Sequence, residues 1–164
     1  MSSSLVGSEM CIRDSLMSCN ETNHAVVKVD DELSSNIKLL IEKYVENDFD
    51  VSDFYTDEVI TRINNLEFTG YENLMQGFQA HHDVLYDNIT IEDLYVHTNY
   101  FTSGDIWSNA WFTWKGTGKT NGEEYSNRGH FDYKWEDGKI AILQAYYSEY
   151  AEQNEAAAYA ASQN

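Results

Sequence analysis

Four long segments rich in β-forming residues follow two helical segments, and this order is what most constrains the fold. The strand segments are residues 89–101, 106–115, 124–135 and 140–147, with turn-forming residues between them. Between residues 128 and 135 polar and apolar side chains alternate, as in a strand with one buried and one solvated face. Helices first and antiparallel strands afterwards predict an α+β domain rather than a parallel, doubly wound sheet.

The first helix and a hairpin are predicted from short-range patterns. Asp30 or Asp31 can cap a helix whose apolar residues recur with a period of about 3.6 up to Val45. Further along, two short strand-like runs flank Asn64 and Asn65, a pair that tolerates positive φ, which predicts a hairpin.

A second helix is predicted to begin after Thr69, because Thr69 and Glu72 have the spacing of a capping box. Its apolar stripe runs from Tyr71 to Leu85 and includes His82, which we therefore expect to point into the domain. An inward histidine can act as a general base near neutral pH. The alternative is a core histidine bonded to a backbone carbonyl or an aspartate.

Residues 5–15 read like a translated sequencing adapter. The transposon-tagmentation adapter encodes the same run in one frame, so we interpret it as an assembly artefact of shotgun, metagenomic data. The Leu-Met-Ser-Cys run at residues 16–19 resembles the bacterial lipobox, which predicts lipidation of Cys19. An acyl chain holds a protein on a membrane without spanning it, so we expect a periplasmic or surface lipoprotein of the cell envelope.

These patterns divide the chain into parts. Residues 1–18 are interpreted as the adapter and a signal-peptide remnant, 19–30 as a polar tether, 31–150 as the folded domain, and 151–164 as an Ala-rich tail, either a frayed helix or disordered. Cys11 lies in the adapter and Cys19 is the only other cysteine, so no disulfide or cysteine metal site is expected.

Charge and motif content exclude several classes of partner. A formal net charge of −18 repels phosphate backbones, which argues against nucleic acid. No segment has the run of about 18 apolar residues that a membrane-spanning helix needs, so a lipid anchor is the only membrane contact expected. No glycine-rich loop opens a helix to hold phosphates, and neither a cofactor nor a metal is expected.

The order of elements, together with the segment from Arg128 to Ile140 (Arg-Gly-His-Phe-Asp-Tyr-Lys-Trp-Glu-Asp-Gly-Lys-Ile), resembles the nuclear transport factor 2-like superfamily and its SnoaL-like branch. The resemblance covers residues 31–150. It implies a cone in which a strongly curved antiparallel sheet wraps around the helices and encloses a pocket, and it implies dimerisation. The superfamily hosts cyclases, isomerases, dehydratases, epoxide hydrolases and non-catalytic binders, so the fold leaves the function open.

The isomerase members of this superfamily provide a test, because their chemistry needs a carboxylate base, a tyrosine and a neutral carboxylic acid. Tyr44 matches the tyrosine, in the same Tyr-Val context. The base position falls on Thr61 or Arg62, and the second acid position falls on Gly129. None of these three residues can abstract a proton as a carboxylate or donate a hydrogen bond as a carboxylic acid, so ketosteroid isomerisation is not expected.

The favoured hypothesis is a pocket that binds a small hydrophobic molecule, with no assigned catalysis. The resemblance predicts its lining as Tyr44, Phe112, Trp114, Phe131, Tyr133, Leu143 and Tyr147. One alternative is a cofactor-independent lyase, isomerase or hydrolase in which His82 and Tyr44 act as acid and base. The other is a dimeric protein-interaction module whose outer sheet face carries Trp111, His130 and Asp132. We expect a homodimer.

Overall fold

The computed structural model describes residues 24–163. Its elements are β1 (Ala25–Lys28), α1 (Glu32–Val45), β2 (Tyr55–Ile63), β3 (Leu66–Thr69), α2 (Tyr71–Ala80), β4 (Tyr86–Phe101), β5 (Ile106–Gly118), β6 (Glu124–Glu136), β7 (Lys139–Tyr146) and α3 (Tyr150–Ser162). No helix within this part of the chain is long and apolar enough to cross a membrane. The adapter-like residues and Cys19 lie outside it, so their interpretation stays a prediction.

All strands form one seven-stranded sheet in the order β1-β4-β5-β6-β7-β2-β3. An antiparallel sheet was predicted, but the sheet is mixed. Strand β2 pairs with β7 in parallel, with Thr61 opposite Leu143. A helix and four strands separate β2 from β7 along the chain, so no tight turn dictates their relative direction. The predicted hairpin about Asn64 is confirmed, with Ile63 opposite Leu66.

The sheet curves because its longest strand is interrupted twice. The register of β4 against β5 shifts between Asp87 and Thr90 and again between Glu92 and Tyr95. Asn88 and Asp93 lie within these irregularities at φ of 54° and 53°. Bulges of this kind bend a strand and increase its twist. The result is the curved, open α+β cone that was predicted.

The concave face of the sheet packs on α1 and α2. The side chain of Asp31 accepts a hydrogen bond from the backbone N–H of Ser34 at 3.1 Å, which confirms the predicted N-cap of α1. Ile37, Leu40 and Ile41 of this helix are buried. Full burial of such a side chain stabilises the fold by about 1.5–3 kcal/mol.

The predicted capping box at the start of α2 is wrong. Thr69 is the last residue of β3, and the N-cap is Gly70, which makes no side-chain cap hydrogen bond. Gly70 has a φ of 107°, a conformation in which a Cβ is strained. Glycine lets the chain turn directly from a strand into a helix, so the capping pattern was a coincidence of composition.

Both ends of the predicted domain extend further than the sequence indicated. Part of the predicted tether forms β1, which pairs with the end of β4. The predicted tail forms α3, in which Ala151 and Glu155 are buried. The Glu155 carboxylate accepts a hydrogen bond from the backbone N–H of Thr120 in the β5–β6 loop. This contact is distant in sequence, so helix propensity alone did not reveal it.

Candidate functional site

A cavity lies between α1, the end of α2, the start of α3 and the concave face of the sheet. It offers about 100 Å³ to the centre of a water-sized sphere, whereas one water molecule needs roughly 10–15 Å³ by that measure. There is therefore room for a small organic molecule. Its lining residues are Leu40, Ile41, Tyr44, Tyr55, Phe78, His81, Tyr86, Ile91, Phe112, Trp114, Asn127, Gly129, Phe131, Tyr133, Tyr147, Ser148, Ala151 and Glu152.

All six aromatic residues predicted as pocket lining reach this cavity. They are Tyr44, Phe112, Trp114, Phe131, Tyr133 and Tyr147. Leu143 does not; it is buried and lines a smaller cavity bounded by β2, β3 and α2. Leu143 lies on β7 opposite Thr61 of β2, on the side of the smaller cavity.

Two glycines allow aromatic rings to lie close against the strands. A Cβ built on Gly129 would lie 2.8 Å from Phe112 Cε2, and one built on Gly116 would lie 2.7 Å from Trp114 Cη2. Gly129 is directly opposite Phe112 on the neighbouring strand. The rings occupy the space that side chains would otherwise fill, so these glycines shape the cavity wall.

The histidine that reaches the cavity is His81, not His82. One edge of the apolar stripe of α2 borders both the main and the smaller cavity. This edge carries Leu74, Phe78 and His81. His82 lies on the other edge, where its ring centroid is 5.1 Å from that of Tyr44 and 5.8 Å from that of Phe49. An amphipathic stripe predicts which face is buried, but it does not show which part of the interior is empty.

The surroundings of His82 agree with the structural alternative, a core histidine bonded to a backbone carbonyl. Burial lowers its pKa, and a hydrogen bond to the backbone of Tyr44 opposes that shift. The helix also widens into a π turn over His81–Leu85, so the rotation of 100° per residue assumed from the sequence does not hold there.

Tyr44 is the centre of a polar contact chain in the cavity wall. Its hydroxyl oxygen lies 2.9 Å from His81 Nδ1. The indole N–H of Trp114 donates to the same oxygen at 3.1 Å. Burial raises the pKa of the Tyr44 hydroxyl well above its ordinary value, so the group is protonated at neutral pH.

Glu152 of α3 extends this chain. Its Oε1 lies 3.9 Å from His81 Nε2, and its Oε2 accepts a hydrogen bond from the Tyr147 hydroxyl at 3.2 Å. The His81 side chain lowers the pKa of the Glu152 carboxyl, and the Tyr147 bond lowers it further against the opposing effect of burial. The cavity thus contains an ionised carboxylate on an otherwise largely apolar wall.

The arrangement can move a proton along the cavity wall. A carboxylate facing Nε2 favours a proton on that nitrogen, which leaves Nδ1 to accept the hydrogen bond from the Tyr44 hydroxyl. Loss of the Tyr44 proton to His81 would leave a phenolate stabilised by the Trp114 N–H. Tyr44 can therefore exchange a proton with a bound molecule, and His81 and Glu152 can position it.

Solved structures share this architecture. A protein assigned as a polyketide cyclase from Xanthomonas campestris pv. campestris superposes with a TM-score of 0.62 at 21% identity, covering 73% of this chain and 94% of that one. A nuclear transport factor 2-like protein from Anabaena variabilis gives 0.57 at 15% identity, covering 71% and 86%. An LEH-like epoxide hydrolase from M. tuberculosis gives 0.52 at 11% identity, covering 79% and 92%. No protein-family model and no curated protein matches the sequence.

The chain has the nuclear transport factor 2-like fold. Two further proteins assigned as polyketide cyclases, from Pseudomonas putida and Silicibacter, share the fold at 17% and 14% identity. At these identities the likeness establishes the architecture alone, so the function has to be argued from the site.

Within this nuclear transport factor 2-like fold, none of the positions tested for isomerase chemistry carries an acid. Thr61 is buried away from the main cavity, and Arg62 pairs with Glu67 at 2.7 Å. Gly129 lines the cavity but has no side chain. The cavity carboxylate comes instead from Glu152, in a segment that sequence analysis placed outside the domain. Its Ala-rich surroundings contain no signal that could have identified it.

The outer face of the sheet carries the residues expected there. Trp111 is 49% exposed, and its ring stacks on that of His130 with centroids 3.7 Å apart. His130 Nε2 lies 2.8 Å from Asp132 Oδ1. The expected homodimer stays a prediction. No cluster of metal-ligating side chains occurs among the described residues.

Proposed function

We propose that the protein binds a small, largely apolar molecule in the aromatic-lined cavity. One observation carries this proposal: the cavity joins aromatic walls to a short, connected set of polar groups. Tyr44, His81 and Glu152 form that set, while the sheet supplies Phe112 and Phe131. Apolar walls with a few convergent polar groups are the usual form of a small-molecule site.

The solved structures support this reading at a coarse level. Proteins of this fold include ones assigned as polyketide cyclases and isomerases, and an epoxide hydrolase-like protein. These names all denote proteins that act on small organic molecules. For this chain we propose only what they have in common, the binding of a small organic molecule.

A thermal-shift screen of the full chain against small hydrophobic carbonyls, epoxides, alcohols and amines tests the proposal. A ligand at 100 times its dissociation constant stabilises the folded state by about 2.7 kcal/mol. We expect Trp114→Ala to abolish the shift, whereas Trp111→Ala on the opposite face of the same strand leaves it intact. Phe131→Leu is a milder variant in case Trp114→Ala does not fold. A ligand that shifts all variants equally would contradict the cavity as its site.

A second candidate function is proton-transfer catalysis, which the Tyr44–His81 contact of 2.9 Å favours. In this reading Tyr44 exchanges a proton with the substrate, and His81 and Glu152 are positioning residues. General acid–base catalysis contributes about 10²–10⁴-fold to a rate. With any turned-over ligand from the screen, we expect His81→Ala to lose activity by such a factor. His82→Ala is the matched control, and equal losses in both variants would refute this assignment.

A further inference from the structure

We propose that the ligand of this cavity is a small organic cation, an apolar amine or quaternary ammonium compound held between aromatic rings and the Glu152 carboxylate. The inference rests on the proposed function, since it names the ligand class of the same site. An aromatic enclosure with an acidic group is a recurring form of ammonium recognition.

The charge of the lining is one-sided. Glu152 is the only carboxylate among the cavity residues, and neither lysine nor arginine is among them. The net charge of −18 adds a negative potential around the molecule, which attracts cations and repels anions. An anionic ligand would therefore meet a carboxylate of the same charge at the cavity wall, which disfavours its binding.

Aromatic rings line the same cavity as the carboxylate. Burial raises the pKa of Tyr44, Tyr86 and Tyr147, and the negative charge of Glu152 raises each of them further. Tyr86 and Trp114 pack edge to face with centroids 4.7 Å apart. Ring faces attract a cation within about 6 Å, and the attraction strengthens when water is excluded. The same cavity wall that disfavours the binding of an anionic ligand would therefore favour the binding of a cationic one.

Among residues 24–163, no hydrogen bond reaches one of the two carboxylate oxygens, Oε1. Oε2 accepts the Tyr147 hydrogen bond, but the nitrogen facing Oε1, His81 Nε2, is 3.9 Å away. This separation is too long for a good hydrogen bond. An ammonium group can approach that oxygen, whereas the carbonyl oxygen of a neutral ligand would place a second acceptor beside it. The carboxylate thus favours a positive group over a neutral hydrogen-bond acceptor.

A pair of isosteres separates charge from shape. Phenyltrimethylammonium and tert-butylbenzene have the same outline and differ by a positive nitrogen in place of a carbon. We expect equilibrium dialysis with the full-length protein to show the cation bound about tenfold or more tightly than the hydrocarbon, as desolvated cation–π contacts imply. We expect Glu152→Gln to weaken the cation about tenfold and to leave the hydrocarbon nearly unchanged.

Glu58→Gln is the matched control, because it removes the same charge from an exposed site on β2. It should leave both dissociation constants unchanged. Equal affinity for the two isosteres, with both lost in Trp114→Ala, would overturn the cation assignment and leave the proposed function standing. Failure of both isosteres and of every compound in the thermal-shift screen would overturn both. Equal weakening of the cation by Glu58→Gln and Glu152→Gln would show a long-range charge effect and overturn the local site.

Discussion

Gly116 and Gly129 lie under aromatic rings that form the cavity wall. Because neither residue has a side chain, the rings can pack directly on the backbone of the strands. The ring of Phe112 fills the space beside Gly129, and the indole of Trp114 fills the space beside Gly116. In the isomerase members of the superfamily the Gly129 position would carry an acid. Here an aromatic ring covers it, and the acidic group enters from α3 instead.

Gly129→Ala should therefore destabilise the protein. The new Cβ would lie 2.8 Å from Phe112, which packs edge to face on Phe131, so both rings must shift. Overpacking of this kind costs about 1–3 kcal/mol, measurable as a lower urea midpoint. The control is Gly77→Ala in α2, where the added Cβ meets nothing within 4 Å. It should stabilise the helix by about 0.5–1 kcal/mol. Unchanged stability of Gly129→Ala would show that Phe112 moves aside freely.

At the scale of elements, α3 stands out because polar contacts hold much of it in place. Glu155 reaches the β5–β6 loop, Glu152 reaches His81 and Tyr147, and Asn154 donates to the Tyr125 hydroxyl at 2.8 Å. The Glu155 carboxylate lies where a side chain on Gly118 would be, 2.2 Å from a built Cβ. The helix thereby brings a carboxylate to the cavity that the sheet and the first two helices do not supply.

Glu155→Ala should loosen α3 without unfolding the sheet. The change removes the hydrogen bond from the Thr120 N–H to the fully buried Glu155 side chain, which costs about 0.5–1.5 kcal/mol. We expect amide hydrogen exchange to accelerate across α3 while the amides of β5 and β6 stay protected. Gln153→Ala, at an exposed position of the same helix, should change stability by less than about 0.5 kcal/mol. Unchanged exchange in Glu155→Ala would mean that other contacts dock the helix.

At the scale of the whole molecule, buried tyrosines make the folded state less stable at alkaline pH. Burial raises the pKa of Tyr44, Tyr55, Tyr86, Tyr133 and Tyr147, and raises that of Tyr100 to about 12. An unfolded tyrosine titrates near 10. A raised folded pKa favours folding below pH 10, and this contribution is lost as pH rises above that value.

The free energy of unfolding should therefore fall steeply above about pH 10. Absorbance at 295 nm, which reports tyrosine ionisation, should include a step that coincides with the loss of circular dichroism. Urea unfolding between pH 9 and 11.5 measures the fall directly. Complete ionisation of the tyrosines before any loss of structure would contradict the burial of these hydroxyls.

Local sequence patterns determined most of the elements. The alternation between residues 128 and 135, the Asn64 turn and the Asp31 cap depend on neighbours within a few residues, and each is present. The aromatic wall was predicted by the family resemblance, since alternation along a strand separates two faces without showing which one lines a cavity. Together with the family resemblance, these local rules were enough to predict the α+β cone and six residues of the cavity lining.

The tertiary structure alone decided what those patterns cannot encode. The parallel pairing of β2 with β7, the choice of His81 over His82 and the entry of Glu152 into the cavity all join residues far apart in sequence. Hydrophobic periodicity reports only that a face is buried. Which buried groups meet, and where space is left between them, depends on how the helices and the curved sheet pack together.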